Sequence, residues 1–426
     1  MTISSDSTAP LIAVVGSTGL QGGSVINSLE ASRKPYRIRG LTRDTKKEKA
    51  QALAKRGVEL VNVDLSAGNV ADIQQAFQGA TYIFIMTNFW EHLDKDREIA
   101  EGKTMVEAAR KTGVKLLLIS SEPNATKVSN GTLTNVFHFD SKAAISDHAR
   151  AIGVPFVDIH AAGYMNNFTT FSRPRPVGDG SYVIDGTWPA DMKMPLLDTY
   201  HDFGLFVRLA IESDEFNKGE GKVIWAYGDI VTVEDQVKVL SETTGRDIRY
   251  NKVTDEQVRA DLARAGLPPH VVDDMIDMFK FHRIWGSAYA DDNHAKLLAR
   301  RPRTFQEYAE HEDWSKSSTS KSQGGLNSAT TMRKSVSDNP ATSYTELIHE
   351  DQEDYKASMT IYKSDLDRYN KQADGIRNVL NSIIEKINPH YVDSPAMNES
   401  TQHDNILLFF LNLKASYGIH DALRRK

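Results

Sequence analysis

The sequence predicts an α/β protein: a Rossmann-type, doubly wound parallel sheet with a smaller α/β substrate domain and a helical C-terminal appendage. Three observations predict it. Short apolar runs alternate with amphipathic helical stretches over the first part of the chain. The first of these runs leads directly into the glycine-rich stretch GSTGLQGG. Far downstream, a polar, Ser/Thr-rich stretch separates this part of the chain from further segments with helical spacing.

The first predicted strand and helix enclose the glycines. Residues 11–15 form an apolar run bounded by glycine, which is typical of a buried parallel strand. From residue 24 to residue 29 the apolar spacing changes to that of one helix face. At this junction Gly16 can adopt a backbone conformation closed to other residues, Gly19 lets the chain approach a pyrophosphate, and Gly22 lets helix and strand pack tightly. This context favours a dinucleotide-binding loop over a tight turn without a ligand.

The second predicted strand ends at the position where dinucleotide-binding proteins distinguish their cofactors. Residues 36–44, YRIRGLTRD, read as a strand that ends in Arg43 and Asp44. An acid at this position binds the ribose hydroxyls of NAD, whereas an arginine pairs with the 2′-phosphate of NADP. A solvated arginine is the alternative interpretation. Arg43 therefore favours NADP(H) as the preferred cofactor, and NAD(H) stays open as a second ligand.

Four more strands follow, each separated from the next by a helix. They are predicted at residues 57–66, 80–90, 114–124 and 153–164. Strands joined by helices of this length pair in parallel, and ligands bind at the carboxyl ends of such strands. The polar residues expected at those ends are Arg43, Asp64, Thr87, Asn88, Ser120, Ser121 and Tyr164.

These residues stand in motifs that resemble the NmrA-like family of atypical short-chain dehydrogenase relatives. The stretches VVGSTGLQGGSV, LTR, VDL, TNFWE, HFDSK, GVP and GYMNNF occur in the order found in that family, and they are most similar to its NADPH-sensing branch. The resemblance extends to about residue 314. It implies a Rossmann-type fold and a bound dinucleotide.

The resemblance also implies which residues hold the dinucleotide. It assigns Gly16, Ser17, Thr18, Gly19, Leu20 and Gln21 to the pyrophosphate, with Gly22 behind them, Arg43 to the 2′-phosphate, and Asp64 and Leu65 to the adenine. It assigns Thr87, Asn88 and Phe89 to the ribose and nicotinamide side, Lys142 to the nicotinamide ribose, and Tyr164, Met165, Asn166 and Asn167 to the nicotinamide end.

The sequence leaves the catalytic residues open. Short-chain dehydrogenases use Tyr-x-x-x-Lys on a helix, where the lysine lowers the pKa of the tyrosine. Lys142 is present, but His138 stands four positions before it. His138 is interpreted as a hydrogen-bonded packing residue, with proton transfer as the alternative. The missing tyrosine favours an NADP(H)-binding redox sensor or transcriptional co-regulator that responds to the NADPH/NADP state without tyrosine-based catalysis. A regulatory protein is a candidate partner. The alternative is an NADPH-dependent oxidoreductase that reduces a carbonyl or unsaturated small molecule.

The composition of the chain limits which ligands and partners it is expected to bind and where in the cell it is expected to lie. The chain has no cysteine, which excludes disulfides and thiolate sites, and its 13 histidines lack metal-ligand spacing, so no metal is predicted. A net charge of −6 does not favour direct binding to nucleic acid or to an anionic membrane. No apolar run has transmembrane length and the polar first residues do not resemble a signal peptide, so we expect a cytoplasmic or nuclear location.

The expected domain boundaries follow from changes in composition. We expect an NAD(P)-binding domain over residues 1–165, a smaller substrate or effector domain over 166–314, a disordered linker over 315–345 and a helical tail over 346–426. The tail resembles the start of a gag polypeptide of fungal copia-type retrotransposons. A helical appendage that docks on the first domain or on a partner is the alternative.

Overall fold

The computed structural model describes residues 3–286 and 294–314. The predicted linker and tail, residues 315–345 and 346–426, lie outside the described residues. The strands in chain order are β1 (Leu11–Val14), β2 (Arg37–Thr42), β3 (Glu59–Asn62), β4 (Tyr82–Ile85), β5 (Leu116–Ser121), β6 (Phe156–Ala161), β7 (Gly163–Tyr164), β8 (Arg175–Pro176), β9 (Tyr182–Gly186), β10 (Lys193–Leu197), β11 (Glu220–Ala226), β12 (Asp229–Thr232) and β13 (Ile248–Lys252).

Several of the α-helices begin at a residue whose side chain caps the first turn. Asp94 accepts a hydrogen bond from the backbone N–H of Arg97 at 3.1 Å, and Thr254 and Thr304 form capping boxes. Among the described helices, none is both long and apolar enough to cross a membrane. The helices are α1 (Leu20–Glu30), α2 (Glu48–Lys55), α3 (Val70–Phe77), α4 (Phe89–His92), α5 (Lys95–Lys111), α6 (Ala125–Val128), α7 (Phe137–Ala151), α8 (Thr199–Glu212), α9 (Val233–Thr244), α10 (Asp255–Arg264), α11 (Pro269–Trp285) and α12 (Phe305–His311).

Seven of the strands form a parallel sheet in the order β11-β6-β5-β4-β1-β2-β3. The chain starts in the middle with β1, continues outward through β2 and β3, and then crosses to the other side of β1 with β4. Ala13 of β1 lies opposite Arg39 of β2 and Ile83 of β4. This arrangement confirms the predicted Rossmann-type α/β class. It also creates a switch point between β1 and β4, where such sheets bind ligands at their carboxyl ends.

Helices cover both faces of the large sheet. Alternate residues of β1 point to opposite faces, and each set packs against a different layer of helices. Ile12 and Val14 pack into one core with α1 and α8. Leu11 and Ala13 pack into a second core with α3, α5 and α7. All four side chains are at most 4% exposed, which explains why the strand is continuously apolar in sequence instead of alternating with polar residues.

Two three-stranded sheets, β12-β10-β7 and β13-β9-β8, form the smaller part of the fold. Their core contains Leu196 of β10, Leu240 of α9 and Phe305 of α12. Part of the chain after residue 165 instead joins the large sheet: β11 pairs with β6, and α8 packs into the core around β1. The expected domain division assigned both stretches to the smaller domain, residues 166–314. The domain boundary at residue 165 stays a prediction.

Candidate functional site

The loop from β1 to α1 is shaped by glycines and anchored by a serine. Gly16 has a φ of +65°, a conformation that residues with a side chain rarely adopt. A Cβ atom on Gly22 would lie 2.2 Å from the carbonyl oxygen of Gly16, so no larger residue fits there. The buried Ser17 donates its hydroxyl hydrogen to the carbonyl of Leu41 at 3.0 Å. The loop is thereby fixed at the carboxyl edge of the sheet, at the switch point.

The N-terminus of α1 presents backbone N–H groups that no side chain caps. Its N-cap is Gly19, which has no side chain to accept them, and the first turn holds no acidic residue. First-turn N–H groups have no partner within a helix, and the helix dipole makes this end positive. Residues 20–22 therefore offer the donors and the charge that bind a pyrophosphate. Thr18, which the family resemblance also assigned to the pyrophosphate, is half-buried.

Tyr164 of β7 lies directly beside this loop. The Nε2 atom of Gln21 donates a hydrogen bond to the hydroxyl oxygen of Tyr164 at 2.8 Å. Oε1 of Gln21 is buried and has no hydrogen-bond partner among the described residues. A buried amide oxygen without a donor is uncommon in proteins, and it fits a ligand that carries a hydroxyl or amide hydrogen. Burial and the nearby Glu122 carboxylate raise the pKa of Tyr164, so the phenol stays protonated.

The three residues after Tyr164 differ in their access to a ligand. They begin the 3-10 helix Met165–Thr169. Met165 is fully buried in the core of the smaller sheets and has no surface for a ligand. Asn166 is half-buried, and its Oδ1 has no partner among the described residues. Asn167 is exposed. Of this predicted group, Tyr164 and the two asparagines can therefore touch a ligand, and Met165 supports them from behind.

The predicted adenine side lies after β2 and β3. The side chain of Arg43 is 71% exposed, and its guanidinium forms an ion pair with Glu91 of α4. Asp64 is exposed and accepts hydrogen bonds from the backbone N–H and the hydroxyl of Ser66, at 3.2 Å and 3.1 Å. Leu65 is half-buried beside it. Glu91 was not predicted, because its contact with Arg43 arises only when β4 returns beside β1.

The predicted ribose side lies where β4 ends. Nζ of Lys142, on α7, donates to Oγ1 and to the carbonyl oxygen of Thr87 at 3.2 Å and 3.3 Å. The same Nζ pairs with Glu98 of α5, a buried carboxylate. Asn88 is half-buried at the start of α4, whereas Phe89 is buried against the ring of Trp90. Thr87 and Lys142, which the family resemblance assigned to the ribose side, are in contact. Glu98 was missed because a glutamate in a charged helix reads as a surface residue.

Glu122, which follows β5 directly, is a second carboxyl group that sequence reasoning missed. Burial raises its pKa to about 8, and the nearby Lys142 ammonium opposes the shift. A carboxyl group with this pKa is mostly protonated at neutral pH. The hydroxyl of the neighbouring Ser121 lies 3.0 Å from the hydroxyl of Ser146, a buried residue of α7. Ser121 is therefore directed toward α7 and not toward the ligand edge of the sheet. Glu122 lies near the Lys142 ammonium and the Tyr164 phenol, so these three titratable side chains form one group.

His138 stands where short-chain dehydrogenases carry tyrosine, and it is held in a buried site. Its backbone N–H donates to Oδ2 of Asp274 at 3.0 Å, and its Nδ1 contacts Oδ1 of the same carboxylate. Asp274 lies on α11 and is fully buried. The imidazole packs between Trp90 and Phe139, with ring centroids 5.0 Å and 4.8 Å away. This environment fits a hydrogen-bonded packing residue that ties α7 to α11.

One further group among the described residues has the composition of a metal site. Asp198, His201 and Asp202 lie together at the start of α8. Arg300 binds Asp202 at 2.6 Å and Arg303 binds Asp198 at 3.0 Å. The two arginines supply the positive charge that a cation would bring, so this group joins the segment before α12 to α8.

Comparisons with a family profile and with individual proteins both point to one family. The sequence profile of the NmrA-like family matches residues 8–309. The NmrA-like family domain-containing oxidoreductase malD of Malbranchea aurantiaca is 32% identical over 258 residues, which cover 56% of this chain and 74% of that protein. The nitrogen metabolite repression protein nmr of Neurospora crassa is 32% identical over 189 residues, which cover 43% of this chain and 37% of that protein.

Solved structures with a similar fold include a regulator and an enzyme. The negative transcriptional regulator Nmra, in complex with NADP, has a TM-score of 0.56 at 22% identity and covers 71% of this chain and 95% of its own. The NADPH-dependent quinone oxidoreductase QOR2 of Escherichia coli, complexed with NADPH, has a TM-score of 0.57 at 22% identity and covers 70% of this chain and 99% of its own. At this identity the likeness concerns the fold alone.

Proposed function

The chain belongs to the NmrA-like family, and from this premise we propose that it is an NADP(H)-binding redox sensor whose dinucleotide-bound state controls its association with a regulatory protein partner. The observation that carries the proposal is the loop between β1 and α1. Gly16 and Gly22 give the loop a shape that other residues cannot adopt, and the helix behind it begins with N–H groups that no side chain caps. We place this function in the cytoplasm, the nucleus or both.

Several parts of the dinucleotide would find a matching group at the sheet edge. The N–H groups of residues 20–22 would hold the pyrophosphate, and Arg43 would pair with the 2′-phosphate, which favours NADP(H) over NAD(H). The ammonium of Lys142 would bind the nicotinamide ribose, and Oε1 of Gln21 would accept a ligand hydrogen. The bound nicotinamide supplies a hydride acceptor or donor. The neighbouring side chains bind and orient it.

A sensor requires binding without turnover, and the state of His138 supports that role. The residue that replaces the tyrosine is enclosed by aromatic rings, and its Nδ1 lies against Oδ1 of the buried Asp274. The similarity to nmr, which is named a nitrogen metabolite repression protein, and the fold shared with the regulator Nmra agree with it.

Calorimetric titration with NADP+, NADPH, NAD+ and NADH tests the proposal. A redox sensor is expected to bind NADP(H) more tightly than NAD(H) and to bind NADP+ and NADPH with different affinities. It is also expected to leave NADPH unoxidised when mixed with quinones, enones or aldehydes. Steady oxidation of NADPH with one of these compounds would contradict the sensor function and show that the protein is an enzyme. A protein that binds no dinucleotide would contradict both functions.

A second candidate is an NADPH-dependent oxidoreductase that acts on a carbonyl or unsaturated small molecule, and Glu122 favours it. A carboxyl group that is protonated at neutral pH can donate a proton to a substrate that receives a hydride. Relatives named as oxidoreductases, malD among them, also support it. If the protein oxidises NADPH, Glu122→Gln is expected to abolish the rate while the affinity for NADP(H) is kept. An unchanged rate would exclude Glu122 as the proton donor.

A further inference from the structure

Glu98 is a buried carboxylate whose role the proposed sensor function does not explain. It lies in the first turn of α5 and is 2% exposed. An ionised carboxylate is costly to bury unless it is paired with a charge and hydrogen-bonded. The partners of Glu98 therefore indicate what it does.

Three donors from two other parts of the fold converge on this carboxylate. Oε1 accepts a hydrogen bond from the hydroxyl of Thr87 at 2.6 Å and also pairs with Nζ of Lys142. Oε2 accepts a hydrogen bond from the hydroxyl of Ser141, which is fully buried. Thr87 follows β4, and both other donors are on α7. Glu98 thus joins the end of a central strand to the helix that carries Lys142.

The position of the Lys142 ammonium depends on these contacts. Lysine places its charge on a flexible four-carbon stem, so its partners must fix it in space. The three N–H hydrogens of Nζ point to Oε1 of Glu98 and to the hydroxyl and carbonyl oxygens of Thr87. The side chain keeps 16% exposure, so a ligand can reach the ammonium and take the hydrogen that points to the Thr87 carbonyl, the longest of the three contacts at 3.3 Å.

A purely structural role is a weaker explanation for this arrangement. Replacing a buried ion pair by apolar side chains is often neutral or stabilising, so such a pair is poor evidence of a contribution to stability. Two of the three residues that Glu98 holds, Thr87 and Lys142, are also those predicted for the ribose side. We propose that Glu98 is a positioning residue that fixes Lys142 and Thr87 to receive the nicotinamide ribose of the dinucleotide. This inference rests on the proposed dinucleotide site.

Two ligands with the same adenosine half can distinguish a positioning role of Glu98 from a general effect on the stability of the fold. NADP+ and adenosine 2′,5′-bisphosphate carry the same adenosine and 2′-phosphate, but the bisphosphate lacks the nicotinamide ribose. In the full-length protein, Glu98→Gln is expected to weaken NADP+ binding by roughly 10- to 100-fold, as for loss of a hydrogen bond to a charged group. The affinity for the bisphosphate should stay unchanged. The matched control is Glu107→Gln on the same helix, whose side chain is 53% exposed and which should alter neither affinity.

A double-mutant cycle with Lys142→Met tests whether Glu98 acts through the lysine. In the Lys142→Met background, Glu98→Gln should change NADP+ affinity by less than about twofold, because the contact is already lost. The double variant also keeps the test valid if Glu98→Gln alone fails to fold, since it leaves no unpaired ammonium. Unchanged NADP+ affinity in Glu98→Gln, an equal loss for both ligands, or additive losses in the cycle would overturn the inference. A wild-type protein that does not bind NADP+ would overturn the proposed function as well.

Discussion

Substitution of Gly19 by valine tests whether the loop before α1 holds a pyrophosphate. Gly19 has a φ of −89° and a ψ of −176°, an extended backbone open to any residue. An added Cβ would lie 3.2 Å from the carbonyl oxygen of Gly16, a close approach that a small shift relieves. The folded protein therefore has little need for a glycine here. The proposed ligand does, because a branched side chain would fill the space in front of the first N–H groups of α1.

The expected magnitudes of the two effects differ strongly. One close contact of this kind costs on the order of 1 kcal/mol, which lowers the melting temperature by about 2–4 °C in a domain of a few hundred residues. Displacing the pyrophosphate from even two of the three backbone N–H groups of residues 20–22 removes charge-assisted hydrogen bonds worth roughly 1.5–3 kcal/mol each, so the affinity should fall by at least about 100-fold. Gly22→Ala gives the contrast, because its Cβ would lie 2.2 Å from a backbone oxygen and 2.6 Å from the carbonyl carbon of Gly16.

Calorimetric titration with NADP+ and thermal melting of the two variants measure these effects. Gly19→Val is expected to melt close to the wild type and to bind no NADP+ at concentrations that saturate the wild type. Gly22→Ala is expected to melt much lower, because backbone atoms of the loop must move. Normal NADP+ binding by Gly19→Val would refute the placement of the pyrophosphate at this loop. A Gly19→Val protein that does not fold would show that the glycine is needed for the fold itself.

Three further predictions concern the other parts of the site and the tail. Arg43→Ala should weaken NADP(H) binding by roughly 10- to 100-fold and leave NAD(H) binding unchanged in calorimetry, and equal losses for both cofactors would contradict the 2′-phosphate pair. Because burial holds the pKa of Glu122 near 8, the folded state keeps a proton that the unfolded state has lost, so this group destabilises the fold increasingly as pH rises. Glu122→Gln should therefore gain melting temperature relative to the wild type between about pH 5 and about pH 8, whereas a constant difference would contradict the shift. Truncation after Trp314 should keep NADP(H) affinity and the stabilisation by NADPH, and proteolysis of the full chain should cut first within residues 316–343; an insoluble or non-binding fragment would contradict this.

Much of the large sheet could be predicted because its signals are local. The apolar run before Gly16 and the helical spacing after it define β1 and α1 without information from elsewhere in the chain. The residues at the strand ends then follow, since parallel strands bring their carboxyl ends to one edge. Arg43, Thr87 and Lys142 were found this way or through the family motifs.

The carboxylates that surround these residues could not be predicted from local sequence. Glu91 meets Arg43 across 48 positions, and Asp274 meets His138 across 136 positions. Glu98 stands in a charged helix and reads as exposed, yet the fold turns it inward to meet Lys142. In each case the burial and the partner depend on the packing of distant elements.

A crystal structure of the protein with NADP+ is the most direct test of the central claim, that the edge of the large sheet between β1 and β4 binds a dinucleotide. The account predicts the pyrophosphate on the first N–H groups of α1 and the 2′-phosphate on Arg43, released from its pair with Glu91. It predicts the nicotinamide ribose on Lys142, with the lysine still held by Glu98. NADP+ bound at another surface, or no bound NADP+ at saturating concentration, would contradict it.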